Sequence, residues 1–163
     1  MKGQILRRTA PIETNPLTLE DIPRPDPLPG ELLVEVRCCG VCHTDLHVIE
    51  GELPDPRLPI IPGHEIVGAV VAVGEGVTQF NAGDRVGIPW LHETDGTCDY
   101  CQRGQENLCP EARFTGYTAD GGYAEYTTVP QNFAVSIPDR FADDEAAPLL
   151  CAGIVGYRSI RLS

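Results

Sequence analysis

Proline and glycine interrupt this chain so often that a long helix has almost nowhere to form. Fifteen prolines and seventeen glycines are spread through 163 residues. Each proline removes a backbone donor, and each glycine weakens the interior of an element. The pieces between them are short and mostly rich in valine and isoleucine, which favours strands. "ELLVEVRCCG" at 31–40 sets Leu32, Val34, Val36 and Cys38 against Leu33, Glu35 and Arg37, the alternation of a half-buried strand. "IVGAVVAVG" is a continuous apolar run with small residues, suited to a strand covered on both faces or bent inside a barrel. "GDRVGI" and "GGYAEYTTVP" add two strand candidates, each led by glycine, and "VTQFNAGD" reads as turns.

Helical pattern is confined to two places. In "VCHTDLHVIEG", Leu46 and Ile49 share a face and Gly51 stands where a helix ends. From Asp143 on, "DDEAAPLLCAGIVGYRSIRLS" puts acids at a helix start and Arg158 and Arg161 near its end, with Pro148 dividing the segment in two. That last pattern runs to Ser163 without a closing turn, which suggests a piece of a longer protein. The length suits one domain, and neither an internal repeat nor a low-complexity tract is visible.

Charge narrows the partners. Twelve Lys and Arg against 24 Asp and Glu leave a formal net charge of -12, which repels phosphate backbones and anionic lipid, so neither nucleic acid nor membrane is expected. No apolar run approaches the roughly 18 residues that span a bilayer, and "MKGQILRRTAPIETNP" has no apolar signal core. A cytoplasmic protein is expected. Seven cysteines, several closely spaced, fit metal ligation better than disulfides in a reducing compartment.

The cysteines fall into two groups. "DGTCDYCQRGQENLC" at 95–109 carries Cys98, Cys101 and Cys109, and the spacing becomes regular only when Asp95 is counted as the first member. Cys42, His64 and Cys151 are far apart in sequence, as suits a zinc site with three protein ligands and one open position. Taken singly, each has a bland reading: Cys151 as a core thiol, His64 as a satisfied core histidine, Asp45 as a first-turn helix acid.

In order along the chain, "CCGVCHTDLHVIEGELP", "PIIPGHEIVGAVVAVGEGVTQFNAGDRVGIPWL", the cysteine loop, "GYTADGGYAEY" and "APLLCAGIVGY" resemble the catalytic part of the zinc-dependent medium-chain alcohol dehydrogenases. The resemblance covers nearly the whole chain. It implies a mainly β (α+β) fold: a GroES-like, partly open barrel with a few short helices and a structural-zinc lobe. Residues 1–163 would be the catalytic domain, with a Rossmann domain for NAD or NADP following Ser163. By the same resemblance, Cys42, His64 and Cys151 hold a catalytic zinc, with Glu65 as an alternate ligand and Asp45 orienting His64. Thr44 and His47 relay the alcohol proton, His43 meets the cofactor pyrophosphate, and Leu53 and Trp90 shape the pocket for a small alcohol or aldehyde. Asp95, Cys98, Cys101 and Cys109 hold a structural zinc, with a harder oxygen loosening the site. Cys38 and Cys39 have no motif role. The full-length protein is expected to be an oxidoreductase and a homo-oligomer, with this piece inactive alone.

Two rivals from other classes stand beside that reading. A zinc-free quinone-reductase relative gives no reason to place Cys42, His64 and Cys151 in these motifs. The second rival is a non-enzymatic GroES-like module, either a zinc-binding interaction domain or a co-chaperonin-like barrel, the latter calling for a long mobile polar loop and no metal ligands.

Overall fold

A computed structural model describes residues 1–163. The chain begins with a hairpin of β1 (Lys2–Leu6) and β2 (Leu17–Asp21), then runs through β3 (Glu31–Gly40), α1 (His43–Glu50), β4 (Glu65–Val73) and β5 (Arg85–Ile88). A lobe leaves the body after β6 (Leu91–Glu93), includes the single turn α2 (Asp99–Gln102), and returns at β7 (Arg113–Phe114). The strands β8 (Tyr126–Pro130) and β9 (Val135–Ser136) precede α3 (Asp143–Ala146), a 3-10 turn over Ala147–Leu150, and α4 (Ala152–Leu162).

The principal sheet is antiparallel in the order β8-β3-β4-β5-β9 and stays open at its two edges. The β1–β2 hairpin leans on it through single bridges from Gly3 to Ala124 and from Leu6 to Ile60. The result is a partly open barrel with few, short helices. No helix is long and apolar enough to cross a membrane.

Strand β4 is covered on both faces over Glu65–Val70, as its apolar run requires. Strand β3 departs from simple alternation, because Leu32, Leu33 and Val34 are all buried in succession. The register with β4 shifts between Leu33 and Val34, where Val71 of β4 is the extra residue of a bulge. The main core gathers Leu32, Val34, Ile66, Val70, Val86 and Ile88 between the central strands. Truncating a fully buried leucine such as Leu32 to alanine costs about 2–5 kcal/mol at such a position.

A second cluster, Leu6, Val48, Ile49 and Ile60, fixes α1 against the barrel end. The helix stops at Gly51, whose N–H bonds the His47 carbonyl in a left-handed cap. A third cluster joins Val67 to Ala146, Ala147 and Leu150. Gly87 gives it room: a Cβ there would lie 2.8 Å from the Leu150 side chain, which would have to shift. Pro148 sits at the start of that turn, where a missing N–H is tolerated. The helical run therefore breaks at Cys151 (φ -126°, ψ -79°), three residues later than the proline suggested. Arg85 anchors this segment, its guanidinium donating to Asp143 at 2.7 Å.

Candidate metal centre and cleft

Cys42 is the residue before the first turn of α1, in extended conformation. Asp45, three residues on, folds back so that its Oδ2 accepts the Cys42 N–H at 2.8 Å. The other oxygen, Oδ1, holds His64 Nδ1 at 2.9 Å. One buried carboxylate thus fixes the direction of a cysteine and a histidine from different segments. His64 reaches this point from the loop leading into β4, where Gly63 (φ +97°) makes a turn in which a Cβ would fall 2.6 Å from the Tyr123 ring.

Asp45 and His64 are 2% and 1% exposed. With Nδ1 committed to Asp45, the opposite nitrogen of His64, Nε2, is buried without a hydrogen-bond partner. Such an atom is costly to leave unpaired. Beside it, the sulfurs of Cys42 and Cys151 are 3.7 Å apart. Two thiolates bound to one zinc in a tetrahedron, with bonds of about 2.3 Å, lie about 3.8 Å apart. One donor atom each from Cys42, His64, Glu65 and Cys151 falls within 4.8 Å of every other. The donor set, two soft sulfurs and an imidazole with a carboxylate alongside, fits zinc.

Without a metal, the electrostatics divide the four donors. Burial pushes the Cys42 thiol up, but hydrogen bonds from the Thr44 backbone and hydroxyl and from Cys151 outweigh it and bring the thiol below its ordinary range. Burial, and then Cys42, push the Cys151 thiol up. Burial also opposes a charged His64, yet the hydrogen bond to Asp45 prevails and raises it. Glu65 is raised by burial, with Asp45 adding to it. A second buried histidine gives the contrast. His92 is pushed down to about 4 by burial and then by Arg113. Its neighbour is the Thr115 hydroxyl, and it lies outside both donor clusters.

The outer group is built locally. Asp95 Oδ1 accepts the N–H groups of Thr97 at 2.7 Å and Cys98 at 2.8 Å. Those two bonds, Cys98 first, hold the carboxyl well below the usual carboxylate range. Cys98 and Cys101 sulfurs are 3.5 Å apart, and Asp95, Cys98, Cys101 and Cys109 form a second four-donor cluster. Cys109 is the only buried side chain between residues 94 and 112, so the lobe has no apolar core of its own. A metal here would take the place of one.

The inner cluster opens on a cleft of about 530 Å³ lined by Thr44, His64 and Cys151 at the donor end and by Trp90, Leu91, Leu150, Ile154 and Val155 along its walls. Trp90 is edge-on to His64, with ring centroids 5.0 Å apart. Leu53, expected in the pocket, packs instead in the α1 cluster, on which Trp90 and Tyr117 also rest. His47 lies one turn beyond Thr44, its Nδ1 against the Glu52 carboxylate, and no direct hydrogen bond joins it to Thr44. His43 is exposed, edge-on to His47 at 4.6 Å. The α4 wall was missed from sequence, although Ile154 and Val155 follow Cys151 by three and four residues and so share its helix face.

The pattern for the alcohol dehydrogenase GroES-like domain matches residues 28–139. The chain is 57% identical to the "Probable alcohol dehydrogenase AdhA" of Mycobacterium tuberculosis, over 98% of this chain and 48% of that one. It is 49% identical to an alcohol dehydrogenase of Geobacillus stearothermophilus, over 91% and 44%. Among solved structures, a cinnamyl alcohol dehydrogenase of Sorghum bicolor superposes with a TM-score of 0.88 at 36% identity, over 99% of this chain and 47% of that one. The chain spans about half the length of the curated relatives it matches.

Proposed function

The chain belongs to the alcohol dehydrogenase GroES-like domain family, and on that premise we propose that it is the zinc-holding, catalytic part of an enzyme that oxidises small primary or secondary alcohols with NAD or NADP. The observation that carries the reading is the buried, unpartnered Nε2 of His64 beside two sulfurs 3.7 Å apart, at the end of an apolar cleft. Zinc in such a site polarises an alcohol oxygen and lowers the pKa of its proton.

In this proposal Cys42, His64 and Cys151 are the resident ligands, and Glu65 is close enough to exchange in as another ligand changes. Asp45 keeps the proton of His64 on Nδ1, so that Nε2 presents its lone pair. The Thr44 hydroxyl, on the cleft wall, takes up the substrate proton, and His47 passes it outward to solvent, with a bridging water between them. The apolar walls orient the carbon chain and keep water from the reacting carbon. The nicotinamide is held by residues outside this chain, and His43, exposed at the start of α1, meets its pyrophosphate. The lobe holds a second, structural zinc through Asp95, Cys98, Cys101 and Cys109.

Metal analysis and turnover test this together. We expect about two zinc ions per chain, and about one after Cys42→Ala or Cys98→Ala. In the full-length protein Cys42→Ala abolishes alcohol-dependent NAD(P) reduction, whereas His47→Ala slows it by about tenfold, because water partly replaces a relay. Turnover indifferent to Cys42→Ala would end the reading.

A further inference from the structure

Trp90 is the only tryptophan of the chain, and its position is set from behind. The Phe114 ring stacks on the indole at a centroid distance of 5.2 Å and an interplanar angle of 22°. The Tyr117 ring does so at 5.8 Å and 16°. These two rings are only 6.4 Å from each other, so they meet the indole from one side and cannot flank it. Its other side is left to the cleft that Trp90 lines, while its rim meets His64 edge-on.

Neither Phe114 nor Tyr117 borders the cleft, yet both are firmly placed. Phe114 lies on β7 directly opposite Leu91 of β6, the residue after Trp90. The Thr115 N–H donates to the Trp90 carbonyl at 2.8 Å. The Tyr117 hydroxyl donates to the Pro54 carbonyl, and the Arg57 N–H donates to the Tyr117 carbonyl at 3.2 Å. The stack therefore ties the strand that leaves the lobe to the segment after α1. Stacked aromatic pairs stabilise by about 0.5–1.5 kcal/mol beyond their buried area. Two such pairs suffice to hold one ring orientation over its alternatives.

We propose that Phe114 and Tyr117 are positioning residues for substrate selection: by stacking on Trp90 they fix the indole as a rigid cleft wall, and so determine how well an alcohol with a large apolar group is accepted. The proposal rests on the reading of the cleft as the alcohol site. A two-carbon alcohol occupies the donor end and makes little use of that wall. A ring-bearing alcohol lies along it.

The test compares benzyl alcohol with ethanol in the full-length protein, and reads the acrylamide quenching of Trp90 emission in the 163-residue chain, where Trp90 is the only indole and is excited selectively over the tyrosines. In Phe114→Leu, and separately in Tyr117→Leu, kcat/KM for benzyl alcohol relative to ethanol falls by about fivefold, through KM rather than kcat, and quenching rises. Phe114→Tyr and Tyr117→Phe keep the rings and remain within about twofold of the parent in both readouts. Zinc content is unchanged throughout, which separates a loosened wall from a lost fold. If both leucine variants raise quenching while the benzyl-to-ethanol ratio stays at the parent value, the proposal is overturned and the alcohol reading survives. Unchanged quenching in both also overturns it. Absence of alcohol turnover in the parent overturns the function and this inference together.

Discussion

The molecule contains two four-donor clusters that solve the same problem in opposite ways. The inner one draws Cys42, His64, Glu65 and Cys151 from the start of a helix, the entry to a strand and the break between two helical pieces, with a sequence separation of 109 between its outermost members. The outer one finds Asp95, Cys98, Cys101 and Cys109 within a single short loop. By loop-closure entropy alone, gathering the inner set from an unfolded chain is harder by about 2 kcal/mol. The barrel meets that demand in advance: clearance at Gly87, the cap at Cys42 and the carboxylate of Asp45 place the donors before any metal arrives. The lobe has no comparable support, so a metal bound there would organise the chain. A preformed centre can leave a ligand position open for chemistry, whereas a self-folding one must close.

The largest effect that would sharpen this contrast acts on the barrel, which only the inner cluster needs. His92 is neutral and buried, with its folded pKa down to about 4 from an ordinary value of about 6.5. Between those values the unfolded chain binds the proton and the folded chain does not, so this contribution is fully present above pH 6.5 and drains away as the pH falls toward 4. Up to about 3 kcal/mol should be lost. Urea unfolding of the metal-free chain at pH 7 and pH 4.5 should show the loss in the parent and a smaller one in His92→Gln. Equal losses would mean that His92 is not held neutral.

Next comes Asp45→Asn, which keeps the shape of the side chain and removes its charge. Inner-site zinc affinity should weaken by about 10–100-fold while the lobe keeps its metal. Competition with a chromophoric chelator measures both, and equal weakening at both sites would break the distinction between them. The smallest effect is expected at the lobe: Asp95→Cys should slow zinc loss to a chelator, since thiolate holds this metal more firmly than carboxylate. A lobe that releases zinc at the same rate in both forms would make Asp95 a turn residue that merely accepts the Thr97 and Cys98 N–H groups.

The same contrast explains what could be read from the sequence. Spacing exposed the outer cluster directly, because its members are neighbours. The inner donors were reached through ordered motifs, since nothing in the bare spacing of Cys42, His64 and Cys151 says that they meet. Strands β3, β4, β5 and β8 and helix α1 carry strong local patterns and were expected. The hairpin β1–β2 was not, for β2 is five residues long, its only apolar alternation is Leu17 and Leu19, and none of its residues is buried. Strands β6 and β7 are three and two residues long, too short for any periodicity, and exist because the lobe must leave and return side by side. The stack of Trp90, Phe114 and Tyr117 is invisible for a related reason: the intervening lobe separates residues that the paired strands bring together. Leu53, a motif position expected in the pocket, packs on the α1 cluster, as Trp90 also does.

Helix α4 starts immediately after Cys151, and Ile154 and Val155, within its first turn, are cleft wall. A cluster donor thus sits at the joint from which a rigid rod, α4, carries the cleft wall, the Cys151 carbonyl accepting the Val155 N–H at 3.0 Å. Any tilt of that rod that widened the cleft would also swing the Cys151 sulfur relative to Cys42 and His64. Pocket size and coordination geometry share a single mechanical coordinate on this side. An enlarged substrate range is therefore more readily reached by changing side chains along the rod than by moving the rod itself.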